Sequence, residues 1–183
     1  MKQSNIVAKI NSSNTKNYKT ISTLFGEEKV VDLRCAGDSA QQSGKRFEDI
    51  TEKLLIDGKR LTDRYYYDTK PKFKCHFGLP REGDFLIQSS NKKRIIHVEC
   101  KQLGDVHSHF DKLSHCLMSA IAGCYGKEFW LIYDYNRITT KSSIEKINKL
   151  EKRCKEVKDI CLLQGITFEL ILIDKLSDYL KKI

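Results

Sequence analysis

The sequence predicts an α/β fold, a mixed central sheet flanked by helices. Two observations carry that expectation. Apolar residues recur at spacings of three and four over 39–57 and 110–124, whereas 84–88, 94–101, 129–133 and 166–173 are short apolar runs. Beyond residue 100, helical and strand-like segments alternate, the order that layers helices against a sheet.

Taken in order, residues 1–20 are polar and read as a mobile arm or short edge structure. Residues 29–33 suit a short strand. Over 39–57, Phe47, Ile50, Leu54 and Leu55 form a helical stripe that Asp38 or Ser39 can cap and Gly58 can end. Three tyrosines make 64–68 a strand. Both prolines fall in 70–82, which reads as a loop. Strands at 84–88 and 94–101 flank a Ser89-Ser90-Asn91 turn. A helix carrying Phe110, Leu117 and Cys124 follows, then a strand at 129–133. A helix that reaches Leu163 and stops at Gly165, a strand at 166–173 and a helix at 175–182 complete the order α-β-β-β-α-β-α-β-α. Without repeats or long linkers, 1–183 reads as one domain.

The chain has 183 residues, enough for a sizeable core, with 40% apolar and 31% charged residues. That is a globular composition, neither disordered nor membrane-embedded. No apolar run approaches the roughly 20 residues that a membrane span needs. The formal net charge of +9 suits a polyanionic partner, although a lysine-rich solvated surface accounts for it equally well. The seven cysteines are odd in number, lie mostly among apolar neighbours and form no Cys-x-x-Cys pair. Buried free thiols fit best, and with no apolar leader at the N-terminus the expected location is cytoplasmic. His107, His109, His115 and Cys116 lack a second ligand pair, so no zinc site is expected.

The chemistry concentrates in 84–101. Asp84 opens one apolar run, and Glu99 and Lys101 close the next. Strand alternation puts His97, Glu99 and Lys101 on one face and Ile96, Val98 and Cys100 on the other. Two carboxylates and a lysine then meet at a sheet edge, a set suited to a hard divalent cation, a phosphodiester and a water. Acid-x-Lys occurs five times in the chain, but only at Glu99 does it end an apolar strand preceded by an Asp-bearing one. Glu48, or less favourably Glu52, would approach from the first helix. His97 reads as an ordinary partly buried histidine, and the tyrosines as packing residues.

Gly44-Lys45-Arg46-Phe47-Glu48 opens the first helix, Gly83-Asp84 starts one strand and Val98-Glu99-Cys100-Lys101-Gln102 ends the next. Over roughly residues 40–135 this order resembles the PD-(D/E)XK nuclease superfamily, home of many restriction endonucleases and of archaeal-type Holliday-junction resolvases. One departure is Gly83, where the family's name has Pro. The resemblance implies a restriction-endonuclease-like sheet and a Mg²⁺-dependent DNA endonuclease of restriction or mobile-element type, with Mn²⁺ able to substitute. Asp84, Glu99 and the Cys100 carbonyl would bind metal, Lys101 would orient or help deprotonate the water, and Glu48 would assist. Lys45, Arg46, Arg81, Lys92, Lys93, Arg94 and Gln102 would contact DNA. The chain would act as a homodimer, or as a heterodimer with a second nuclease subunit. A junction-resolvase-like nuclease and a non-cleaving nucleic-acid-binding protein on the same fold are the alternatives.

Overall fold

A computed structural model describes residues 18–22, 28–32, 40–74, 80–102, 108–134 and 141–183. Most of the proposed N-terminal arm, Cys35, Cys75 and His107 lie outside them. Two strands, β1 (Tyr18–Ser22) and β2 (Glu28–Asp32), pair as an antiparallel ribbon. Helix α1 (Ala40–Thr62) leads into β3 (Tyr65–Thr69), a small antiparallel hairpin of β4 (Lys72–Lys74) and β5 (Pro80–Glu82), then β6 (Phe85–Ser89) and β7 (Ile95–Gln102). Helix α2 (Ser108–Ile121), β8 (Glu128–Asp134), α3 (Lys141–Leu163), β9 (Thr167–Leu172), a 3-10 turn (Ile173–Lys175) and α4 (Leu176–Leu180) follow.

The central sheet has the order β3-β6-β7-β8-β9. Strands β3, β6 and β7 are mutually antiparallel, and β7, β8 and β9 run parallel. The mixed α/β architecture is therefore the one the sequence predicts. The expected strand at 166–173 is β9, the edge strand beside β8.

Both sheet faces are covered. Ile96, Val98 and Cys100 of β7, with Trp130 and Ile132 of β8, join Phe47, Ile50, Leu54 and Leu55 of α1 and Leu176 and Leu180 of α4. Phe129, Leu131 and Tyr133 face the other way, onto Leu117 of α2 and Cys154, Val157 and Cys161 of α3. Phe47 and Leu55 are fully buried, and each such side chain contributes on the order of 1.5–3 kcal/mol. With two covered faces, β8 has no reason to alternate in polarity, which explains its continuous apolar run.

Two boundaries differ from expectation. Gly58 does not end α1, which runs to Thr62. Gly58 is buried and its carbonyl accepts a bond from Thr62 Oγ1 (2.9 Å), while Asp63 (φ 46°) takes the left-handed conformation that stops the helix. The expected loop at 70–82 contains the β4–β5 hairpin. Its strands are three residues long and mostly exposed, so they carry little apolar signal, and Pro80 is tolerated as a first strand residue.

Candidate functional site

The antiparallel β6–β7 pairing puts the start of one strand beside the end of the other. Asp84 stands one residue before the Phe85–Val98 pair. The Cys100 N–H donates to Asp84 Oδ2 (2.7 Å), tying this carboxylate to the neighbouring strand. Lys101 Nζ lies 2.9 Å from Glu99 Oε2 and 3.9 Å from Asp84 Oδ2. Glu48, from α1, meets Lys70 Nζ at 2.6 Å, and the same ammonium reaches Asp84 Oδ1 at 3.1 Å. Five charged groups thus alternate as Glu48, Lys70, Asp84, Lys101 and Glu99, leaving one net negative charge. Glu52 instead accepts a bond from Tyr67 OH (3.4 Å), so Glu48 is the helix carboxylate at this site.

Glu99 is buried at 7% exposure, and burial pushes its carboxyl above the usual range; Lys101 opposes this shift and Asp84 adds to it. For Lys101, burial disfavours the charge, but Glu99 and Asp84 more than compensate and hold the ammonium above its ordinary value. Lys70 is raised in the same way, its desolvation outweighed by Glu48 and Asp84. Both lysines are therefore cations at neutral pH.

A cavity of about 330 Å³ adjoins Glu99 and Lys101, with Arg81, Glu82, His115, Cys116 and Tyr125 on its other walls. Arg81 donates to Ser119 Oγ (3.0 Å) and Tyr125 OH (3.5 Å), and a second guanidinium nitrogen lies 3.2 Å from His115 Nε2. Its side-chain partners are two hydroxyls and an imidazole, and it makes no ion pair with a carboxylate among the described residues. Burial raises the Cys116 thiol and the Tyr125 hydroxyl, so both remain protonated.

The other expected residues divide. Lys45 is exposed and Arg46 half-buried on α1, within one turn of Glu48, and Gln102 is half-buried at the end of β7. In register beside Gln102 is Asp134, fully buried at the end of β8, which sequence reasoning did not single out. Lys92, Lys93 and Arg94 lie at the opposite end of β7, where seven strand residues place Arg94 roughly 23 Å from Lys101. Arg94 forms a bidentate pair with Glu128 (2.6 and 3.2 Å) and donates to the Lys182 carbonyl (3.0 Å). The cluster therefore stands at the far end of β7 from Lys101, because adjacency in sequence does not make adjacency in space. His97 packs against Phe73 with ring centroids 4.8 Å apart, and burial lowers its pKa.

Lys70, His115, Ser119 and Tyr125 were not singled out as site residues. Lys70 was visible only as one of five acid-x-Lys matches, in a segment read as loop. Its place depends on the Thr69–Phe85 register, which no local pattern encodes. The departure at Gly83 has a local reason. Its N–H donates to the Pro71 carbonyl (3.0 Å), a bond that proline would lack.

Three carboxylates and a backbone carbonyl are hard oxygen donors of the kind Mg²⁺ prefers. Among the described residues, however, no three His, Cys, Asp or Glu side chains gather closely enough to hold a metal ion. A cation nevertheless stands between Glu48 and Asp84, namely the Lys70 ammonium. The donors are thus of the right chemistry for a divalent cation, while the carboxylates of Glu48 and Asp84 are spanned by a lysine.

No family model matches the chain, and no curated protein matches it. Among solved structures it is similar to protein VC1899 from Vibrio cholerae (14% identity, TM-score 0.45), over 91% of this chain but 38% of that one. SfsA from Pyrococcus furiosus, whose structure is in complex with Ca²⁺, matches at 17% identity and TM-score 0.37, over 85% of this chain and 68% of that one. At these identities and scores, neither bears on activity. No helix among the described residues is long and apolar enough to cross a membrane.

Proposed function

We propose that this chain is a Mg²⁺-dependent DNA endonuclease of the PD-(D/E)XK type. The observation that carries the reading is the meeting of Asp84 and Glu99 with Lys101 at the joined ends of β6 and β7, with Glu48 of α1 linked to Asp84 through Lys70. Asp84, Glu99 and the Cys100 carbonyl would hold the metal, with Glu48 alongside. Bound Mg²⁺, or Mn²⁺ in its place, would supply Lewis-acid stabilisation of charge on the phosphate and a more acidic water.

The protein's own groups have defined parts. Hydrolysis forms a bond from water oxygen to phosphorus and breaks the bond to the leaving oxygen. Lys101, whose Nζ lies 2.9 Å from Glu99 and 3.9 Å from Asp84, would orient the water or help take its proton once bound metal offsets those carboxylates, and would offset phosphate charge; the proton then passes to bulk water. Asp84 is fixed by the Cys100 N–H, so its position costs no reorganisation during reaction. Arg81, held by Ser119, Tyr125 and His115 and not by a carboxylate among the described residues, would meet a backbone phosphate, and Lys45, Arg46 and Gln102 would extend that surface.

One such constellation cuts one strand at a time. Double-strand cleavage would need a homodimer, or a second nuclease subunit in a heterodimer. The test is metal-dependent cleavage of linear, supercoiled and branched DNA. Preference for branched DNA would favour the resolvase-like reading. Binding without cleavage in Mg²⁺ and Mn²⁺ would replace the enzyme with a nucleic-acid-binding protein on this fold.

A further inference from the structure

Arg81 and Lys101 both line the cavity of about 330 Å³, and they are held differently. Lys101 lies against carboxylates, 2.9 Å from Glu99 and 3.9 Å from Asp84. Arg81 instead reaches Ser119 Oγ (3.0 Å), Tyr125 OH (3.5 Å) and His115 Nε2 (3.2 Å). A guanidinium only donates, so all three partners accept. A hydroxyl acceptor fixes the direction of the group without cancelling its charge, whereas a carboxylate does both. The two hydroxyls are themselves fixed. Tyr125 is buried, its ring stacked on Phe129 (centroids 4.2 Å apart, planes 9° apart) and tilted against Phe73 at 5.7 Å. Ser119 is buried on α2, whereas His115 is exposed. Phe73 stands opposite Arg81 in the β4–β5 register. The ring that helps to seat Tyr125 therefore also anchors the hairpin that carries Arg81.

The geometry points to Ser119 and Tyr125 as positioning residues, which hold Arg81 as a pre-set seat for a phosphate of the DNA backbone beside the Glu99–Lys101 end of β7. The ligand of this seat rests on the nuclease reading above. An arginine that is free in solution loses rotamer freedom when it grips a phosphate, and one already held loses less. No carboxylate among the described residues has to be released first, so a phosphate meets an uncancelled charge. The two hydroxyls act only through Arg81. Their removal should therefore matter while the guanidinium is present and not once it is gone.

The test is a double-mutant cycle on the full chain, read by binding of a short DNA duplex in Ca²⁺. Ser119→Ala combined with Tyr125→Phe should weaken binding about fivefold when Arg81 is present and less than about twofold in an Arg81→Ala background. Ser119→Ala alone, a change that favours the α2 helix, should lose about threefold and covers a failure of the double variant to fold. With Mg²⁺, the double variant should raise KM for cleavage about fivefold and leave kcat within about twofold. A further readout needs no DNA: the NMR order parameter of the Arg81 Nε–H should fall in the variants. Equal losses with and without Arg81, no loss in either background, or an Arg81 order parameter that does not change overturns the positioning role while leaving the nuclease reading standing. No DNA binding by the wild type defeats the nuclease reading, and the phosphate seat with it.

Discussion

The two ends of β7 carry similar chemistry arranged to opposite effect. At one end Lys101 meets Glu99 at 2.9 Å; just beyond the other, Arg94 meets Glu128 at 2.6 Å. The Arg94 end is closed. Its guanidinium bonds both Glu128 oxygens and the Lys182 carbonyl, and Glu128 also accepts from Trp130 Nε1 (3.2 Å). Donors and acceptors match there and little capacity remains for a ligand. At the Lys101 end, three carboxylates face two ammonium groups beside a cavity of about 330 Å³. An ion pair fastens structure where its valences are used up, and it makes a candidate site where charge is left over next to open volume.

That contrast can be broken by substitution. The largest effect is expected for Lys101→Met, which should lower DNA cleavage by about a hundredfold or more while Mn²⁺ binding persists; near wild-type turnover would remove Lys101 from the mechanism. At the closed end, Arg94→Met should cost about 1–2 kcal/mol of stability in a denaturant titration, a modest figure because the pair is partly exposed. Cleavage per folded molecule should not change, and a drop would mean that the two ends are coupled. Arg81→Ala is expected to weaken DNA binding in Ca²⁺ about five- to tenfold and to reduce the slope of log affinity against log salt by about one. The smallest effect belongs to Lys92→Ala combined with Lys93→Ala, which should change that slope by less than about one half. A loss equal to that of Arg81 would show that DNA also runs over the far turn.

Much of the sheet was legible because its strands are short apolar runs and because β7 alternates. Ile96, Val98 and Cys100 do join one core, while Glu99 and Lys101 lie on the other face. The convergence of Asp84 with Glu99 was readable too, since a tight turn forces β6 and β7 to pair antiparallel. What could not be read depends on register between distant segments. Lys70 reaches the site only through the β3–β6 pairing, and the Arg81 cradle is assembled from β5, α2 and the turn after it. Lys92 to Arg94 abut β7 in sequence yet stand at its end away from Lys101. Extended backbone, at roughly 3.3 Å per residue, carries its two ends far apart.

The most direct measurement is cleavage of supercoiled plasmid by purified wild type, Asp84→Asn and Glu99→Gln, with Mg²⁺ and with a chelator. Circular dichroism would confirm that each variant is folded. The account predicts nicked or linear products from wild type with Mg²⁺ alone, and at least a hundredfold less from either variant. Cleavage that survives the chelator, or equal cleavage by all three proteins, would contradict it.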